Sequence, residues 1–146
     1  MIREATVENA PEINAIINDD SCLPWITPGE CTLLDCTDAM QDADNLFLVD
    51  GDIAFTFRRT QPGIYEVHVM ALPVARGRGA LKAASDALKW VFEKTDAQII
   101  LGSIFVENKA ARSYSRLMGF DVAGEASGSE VSFLTKAAWK KESECL

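Results

Sequence analysis

The chain is poor in the residues on which metal, thiol and triad chemistry depend. It has a single histidine, His68, and four cysteines, Cys22, Cys31, Cys36 and Cys145, with no CxxC pair and no histidine beside any of them. That spacing argues against a zinc site and for reduced thiols, and no metal is expected. No apolar run reaches the roughly 20 residues a membrane span needs. The opening Met-Ile-Arg-Glu-Ala-Thr lacks the apolar core and small-residue cleavage site of a signal peptide. The expectation is a cytoplasmic protein with no membrane partner. Positive charge is scarce as well: 14 Lys and Arg against 22 Asp and Glu leave a net charge of −8. Nucleic acid is therefore a poor partner, because it needs a basic face to displace its counterions, and a cationic or neutral substrate suits the chain better. Repeats, linkers and low-complexity segments are absent from the sequence.

What is present is ordinary for a globular protein: 146 residues, 48% hydrophobic and 25% charged, which predicts one domain over 1–146 with room for a substantial core. Ile2 to Ala5 reads as a short edge strand. Asn9-Ala10-Pro11-Glu12 opens a helix, with Asn9 as its cap and Ile13, Ile16 and Ile17 as its buried stripe. A loop through Leu23-Pro24-Trp25-Ile26-Thr27-Pro28-Gly29 leads to a less periodic segment, Glu30 to Met40, with a candidate short helix. Asn45 to Val49, Ile53 to Arg59 and Ile64 to Leu72 read as three antiparallel strands, joined by Asp50-Gly51-Asp52 and Gln61-Pro62-Gly63.

The most informative stretch follows. The third strand runs through Pro73 into Arg76-Gly77-Arg78-Gly79 and directly into an amphipathic helix. Leu81, Ala84, Leu88, Val91 and Phe92 form its buried stripe, and Lys82, Asp86, Lys89 and Glu93 face outward at pairing distance along the helix. Glycines that turn the backbone tightly, followed by the free N–H groups of a helix N-terminus, make a phosphate cradle, and Arg76, Arg78 and Lys82 add local positive charge. The same letters also make an ordinary β-to-α turn, and the basic cluster a solvated patch. The loop lacks the Lys-Ser/Thr ending of a P-loop. Gln98 to Phe105 has the continuous apolar character of a strand buried on both faces, parallel to the strand before the loop. Asn108 to Met118 is a second helix, stopped at Gly119. Phe120 to Gly124 and Val131 to Thr135 form a closing hairpin around Ala126-Ser127-Gly128-Ser129.

On three segments in this order the chain resembles the GNAT superfamily of acetyl-CoA-dependent N-acetyltransferases: Ile2-Arg3-Glu4-Ala5-Thr6, Pro73 to Ala80, and Asn108-Lys109-Ala110-Ala111 running to Leu117-Met118-Gly119-Phe120. The resemblance covers nearly the whole chain. It implies an α/β (α+β) GNAT fold: a central mixed, mostly antiparallel sheet with one splayed parallel strand pair and helices on both faces. It further implies acetyl-CoA as co-substrate, with the backbone of Val69, Met70 and Ala71 holding the pantetheine arm. The N–H groups of Arg76, Gly77, Arg78, Gly79, Ala80 and Leu81 would hold the pyrophosphate, with Asn108 touching the cofactor from the other side. The implied partner is a small-molecule amine or a protein amino group, and a homodimer is compatible with the family. Small size, acidic balance and the Ala-rich RGRGALKAASDALKWVF segment are also similar to GNAT-like proteins encoded by tailed bacteriophages.

Two positions depart from the family pattern. Leu81 stands where a Gly or Ala is usual, and its bulk tightens the approach to the pyrophosphate. Ser115 stands where the family usually carries a Tyr that protonates the departing thiolate. At about 100° per residue, Ser115 returns to within about 20° of Asn108 on the helix, whereas Tyr114 points about 120° away, as a packed residue beside Leu117. Glu66 and His68, two residues apart on the strand entering the cleft, share one face and are the candidate proton acceptors; the alternatives are a solvated carboxylate and a hydrogen-bonded structural histidine. Ser115 is a candidate proton relay. Cys22 to Asp38, the Gln61 to Gly63 turn and the final hairpin are expected to encode substrate choice, with Trp25 lining the acceptor pocket and Glu30, Asp35 or Asp38 pairing with a cation. Two readings remain: an N-acetyltransferase acting by direct amine attack on the thioester, and a GNAT-fold CoA-binding or virion-associated protein that kept the scaffold without efficient chemistry.

Overall fold

Period-two alternation in the strands builds a mixed sheet. The computed structural model describes residues 1–27, 29 and 32–144, so the expectations for Pro28, Glu30, Cys31 and Cys145 fall outside the described residues. The strands are β1 (Arg3–Glu4), β2 (Asn45–Asp50), β3 (Ile53–Gln61), β4 (Ile64–Ala71), β5 (Ile99–Phe105), β6 (Asp121–Ala126) and β7 (Ser129–Thr135). They lie in the order β1-β2-β3-β4-β5-β7-β6. Every neighbouring pair is antiparallel except β4 and β5, which are parallel, as the crossover through the long helix predicted. The helices are α1 (Ala10–Ile17), α2 (Leu23–Ile26), α3 (Thr37–Gln41), α4 (Arg78–Lys94), α5 (Lys109–Leu117) and α6 (Lys136–Glu144).

Alternation along the strands sends side chains into two cores. Phe55 and Phe57 of β3, Tyr65 of β4, Ile100 of β5 and Leu134 of β7 face α4, whose stripe Ala83, Ala87, Leu88, Val91 and Phe92 is buried against them. Four alanines in that stripe, Ala80, Ala83, Ala84 and Ala87, remove side-chain bulk and let the helix lie close to the sheet. On the other face, Phe47, Val49, Ala54 and Met70 pack against Ile13, Ile16 and Ile17 of α1, with the free thiols of Cys22 and Cys36 at the edge.

Several expectations need correcting. Asn9 precedes α1 but does not cap it: its side-chain oxygen accepts the N–H of Thr6 at 2.9 Å, closing the turn before the helix. The loop after Cys22 contains the single-turn α2. Leu81 does not join the buried stripe of α4, which starts instead at Ala80. Of the outward charges on α4, Lys82 and Asp86 pair at 3.1 Å. The closing hairpin turns on two residues, Ser127 and Gly128, both with positive φ (52° and 80°), the signature of a type I′ turn. Beyond it, α6 was not anticipated; its Trp139 stacks on Phe92 at 5.1 Å between ring centroids.

The closed end of the β4–β5 pair is fastened by Asp96. Its carboxylate accepts from Arg59 Nη2 at 2.7 Å, Tyr65 Oη at 2.8 Å and the Gly63 N–H at 3.1 Å, while the Gly63 carbonyl accepts from Gln98 and Ile99. The hydrogen bonds from Arg59, then that from Tyr65, hold this carboxyl well below the usual carboxylate range. A depressed folded-state pKa means stabilisation that is present above the unfolded carboxylate's pKa of about 3.9 and is lost as the pH falls toward the folded value. Asp96→Asn is therefore expected to melt below wild type at neutral pH, with the gap shrinking steadily below about pH 4. Melting curves from pH 7 to pH 3 check this; a constant gap would remove Asp96 as the source.

Candidate active site

The pairing of β4 with β5 stops midway. The register runs from Ile64↔Ile99 to Val67↔Gly102 and goes no further, although β4 stays paired with β3 as far as Ala71 and β5 with β7 as far as Phe105. Each strand follows its other neighbour, and the two part. Gly102 sits where the parting begins because a Cβ there would lie 2.8 Å from the hydroxyl of buried Ser132 on β7. A cavity of about 870 Å³ occupies the opening and reaches both faces of the sheet, touching Ala80, Leu81 and Ala84 of α4 on one and Ile13 and Ile17 of α1 on the other.

At the mouth of the opening the chain leaves β4 through a short 3-10 turn, Pro73–Ala75, and enters α4. Gly77 has φ +106°, a conformation that disfavours any side chain and re-aims the backbone into the helix. The Arg76 N–H donates to the Pro73 carbonyl and the Leu81 N–H to Gly77, so these two ends of the expected cradle are already committed. Between them, the consecutive N–H groups of Gly77, Arg78, Gly79 and Ala80 have no hydrogen-bond partner among the described residues. Open space lies above Gly79, with nothing within 4 Å of a Cβ built there.

Glu66 and His68 lie on the α1 side of β4 and both line the cavity, with His68 Nε2 3.2 Å from Glu66 Oε1. Val69, Met70 and Ala71 continue along the lip of the parted strand, and all three line the cavity. No protein-family model matches the sequence, and comparison with curated proteins finds no match. Solved structures are similar across nearly the whole chain. One is the aminoglycoside acetyltransferase AAC(6')-Ib in complex with ribostamycin and coenzyme A, at 14% identity, covering 97% of this chain and 96% of that one, with a TM-score of 0.80. A second is the spermidine N-acetyltransferase from Vibrio cholerae in complex with CoA and spermine (13%, 96% and 97%, 0.77). A third is the ribosomal-protein-S5-alanine acetyltransferase from Vibrio fischeri (13%, 94% and 93%, 0.75). The fold is the GNAT fold. At these identities the likeness is one of architecture.

Within the GNAT fold, α5 forms the wall opposite β4. Asn108 is its N-cap: Oδ1 accepts the Ala111 N–H at 3.2 Å, and the residue lines the cavity. Ser115 lines it too, with its hydroxyl 3.5 Å from that of Ser132. Tyr114 packs against the core, as its place on the helix suggested, and it also reaches the cavity wall, where its hydroxyl donates to the Ala80 carbonyl in the first turn of α4; Leu117, one turn on, is 71% exposed. Burial pushes this phenol up to about 12, so it keeps its proton and acts as a strut between the two helices.

The side chain of Arg76 turns away from the loop: Nε and Nη2 donate to the Ala71 carbonyl at 3.1 and 3.0 Å, and Nη2 also donates to Ser21 Oγ at 2.9 Å. Ser21 Oγ in turn donates to Asp19 Oδ1 at 2.5 Å, which ties the loop to the α1–α2 connection. Arg78, exposed at the start of α4, has no hydrogen bond or ion pair among the described residues and is the unengaged cation of the pair. No local pattern in the sequence announces the contact between Ser21 and Arg76. Trp25 lines the cavity. Asp35 does not: its carboxylate closes the turn into α3 by accepting from Thr37 N and Oγ and from Asn14, contacts that also hold it below the ordinary range. Asp38 is exposed and away from the cavity, and the Gln61–Gly63 turn lies at the fastened end of the sheet, so neither contributes to the opening.

Proposed function

We propose that the chain, acting as one domain over 1–146, is an acetyl-CoA-dependent N-acetyltransferase that modifies a primary amine. The observation that carries this reading is the juxtaposition of the parted β4–β5 lip with four consecutive N–H groups at the start of α4 that have no partner among the described residues. Donors of that kind, with Arg78 beside them, suit a pyrophosphate, and an extended arm fits along a strand edge whose backbone groups have lost their neighbour. The solved relatives, captured with coenzyme A and with amines, support the same assignment.

When bound, acetyl-CoA supplies a thioester carbon that an uncharged amine attacks, forming the amide as the thiol leaves. The chain's part is to position and to move protons. Glu66 and His68 receive the proton the amine gives up, and Ser115 on the facing wall offers a hydroxyl toward the sulfur side. Tyr114 keeps the first turn of α4 in place through the Ala80 carbonyl.

Gly79→Leu tests the cradle with two opposite signs. In the free protein the new side chain meets open space and replaces a poor helix former, so thermal stability should rise by a few tenths to about 1 kcal/mol. Calorimetry should show CoA affinity falling about tenfold or more, because the side chain fills the approach to the N–H groups. Unchanged affinity would overturn the cradle. Wild-type protein that binds CoA but releases no thiol across a panel of amines would favour the retained-scaffold reading instead.

A further inference from the structure

Resting on the acetyltransferase reading, we propose that the acceptor is a monoamine with an apolar, ring-sized body, and that polycations are poor acceptors. Glu66 and His68 lie on the same face of β4 as Met70, which packs toward α1, so the amine approaches from the α1 side while α4 and α5 serve the cofactor. The walls on that side are apolar: Ile13 and Ile17 from α1, Cys22 behind them, and Trp25 and Ile26 from α2. At the rim Trp25 faces Phe105 from the end of β5, with ring centroids 6.4 Å apart and planes tilted by 36°. Trp25 is 44% exposed, so part of its aromatic surface stands open at the entrance.

The charge distribution points the same way. The chain carries 22 acidic residues, yet among the described residues lining the cavity Glu66 is the single carboxylate. One carboxylate matches one ammonium group. A second or third ammonium carried into these walls would be desolvated without a counter-charge, which opposes binding, whereas an apolar body gains by leaving water. Selectivity therefore comes from what the walls cannot satisfy.

The test uses full-length protein and two probes, 2-phenylethylamine and spermidine, followed by the quenching of Trp25 fluorescence, the component absent from Trp25→Phe. Wild type is expected to half-saturate with 2-phenylethylamine at a concentration about tenfold or more below that for spermidine. Ile26→Glu, at a rim position 38% exposed, adds a second carboxylate and should narrow or reverse the preference while leaving thermal stabilisation by CoA unchanged. Tighter binding of spermidine by wild type, or no saturable response to 2-phenylethylamine, would overturn the proposal. Stabilisation by CoA is measured on the same samples. Its failure would overturn the acetyltransferase reading itself, a result distinct from any outcome of the amine titration.

Discussion

Glu66→Gln is expected to reduce acetyl transfer by about two orders of magnitude or more while leaving CoA binding nearly intact. An amine attacks only after losing its proton, and removing a positioned proton acceptor typically costs 10²- to 10⁴-fold. Gln keeps the shape of Glu66 but cannot take the proton, and among the described residues lining the cavity the other candidate acceptor is the His68 ring 3.2 Å away. Tyr114→Phe should cost far less in rate. It removes one hydrogen bond to the Ala80 carbonyl, worth about 1 kcal/mol of stability, from a phenol whose proton is held too tightly for it to be an effective acid. Steady-state thiol release with saturating CoA donor, measured for both variants, decides the ranking. If Tyr114→Phe proved the more damaging, the proton chemistry would have to be moved from β4 to α5.

The second large effect is on stability. Glu130 of β7 is 2% exposed, and its Oε2 accepts from Arg112 Nε at 2.8 Å and Arg116 Nη2 at 3.2 Å, while its Oε1 is buried with no hydrogen-bond partner among the described residues. Arg112 also donates to the Val106 carbonyl at 2.8 Å, so its guanidinium joins α5 to both the strand beneath it and the loop before it. Arg112→Leu leaves this buried carboxylate with only the longer contact to the half-exposed Arg116 among the described residues, and should cost about 3 kcal/mol, lowering the melting temperature by roughly 10 °C. Arg116, 53% exposed in its side chain, should matter much less when replaced in the same way. Adding Glu130→Leu to Arg112→Leu should restore part of the loss, because an apolar pair of similar volume removes the stranded charge. Equal melting temperatures for the two single variants would show that the pair does not anchor α5.

Long-period patterns are legible in the sequence, and contacts between distant segments are not. The order of strands, the parallel crossover and the helix after Gly79 follow from alternation, from the small and large residues of α4, and from glycines at turns. Glu66 and His68 were placed on one face by the two-residue period of a strand. In contrast, α6 is not legible in the sequence because Lys136–Glu144 offers little apolar surface beyond Trp139, and that ring stacks on Phe92, distant in sequence. Tyr114 packs against the core, but a helix wheel gives angles and not the breadth of the surface a helix meets, and α5 lies against a cavity wide enough to touch Tyr114 and Ser115 together. Arg76 stands beside Gly77 in the sequence, but its side chain donates to the Ala71 carbonyl and to Ser21, and Ser21 comes from a segment that only folding brings near.

The place where β4 leaves β5 also divides the molecule mechanically. Among the described residues, strand pairing joins the leaf β1–β4 to the leaf β5–β7 along the seam from Ile64↔Ile99 to Val67↔Gly102, extended by one backbone bond from Gln98 to Gly63. One end of that seam is clamped by Asp96, and the other is an open notch. A molecule lying along both lips would add a second seam, so its grip would be felt as stiffness in both leaves and not only as contacts where it sits.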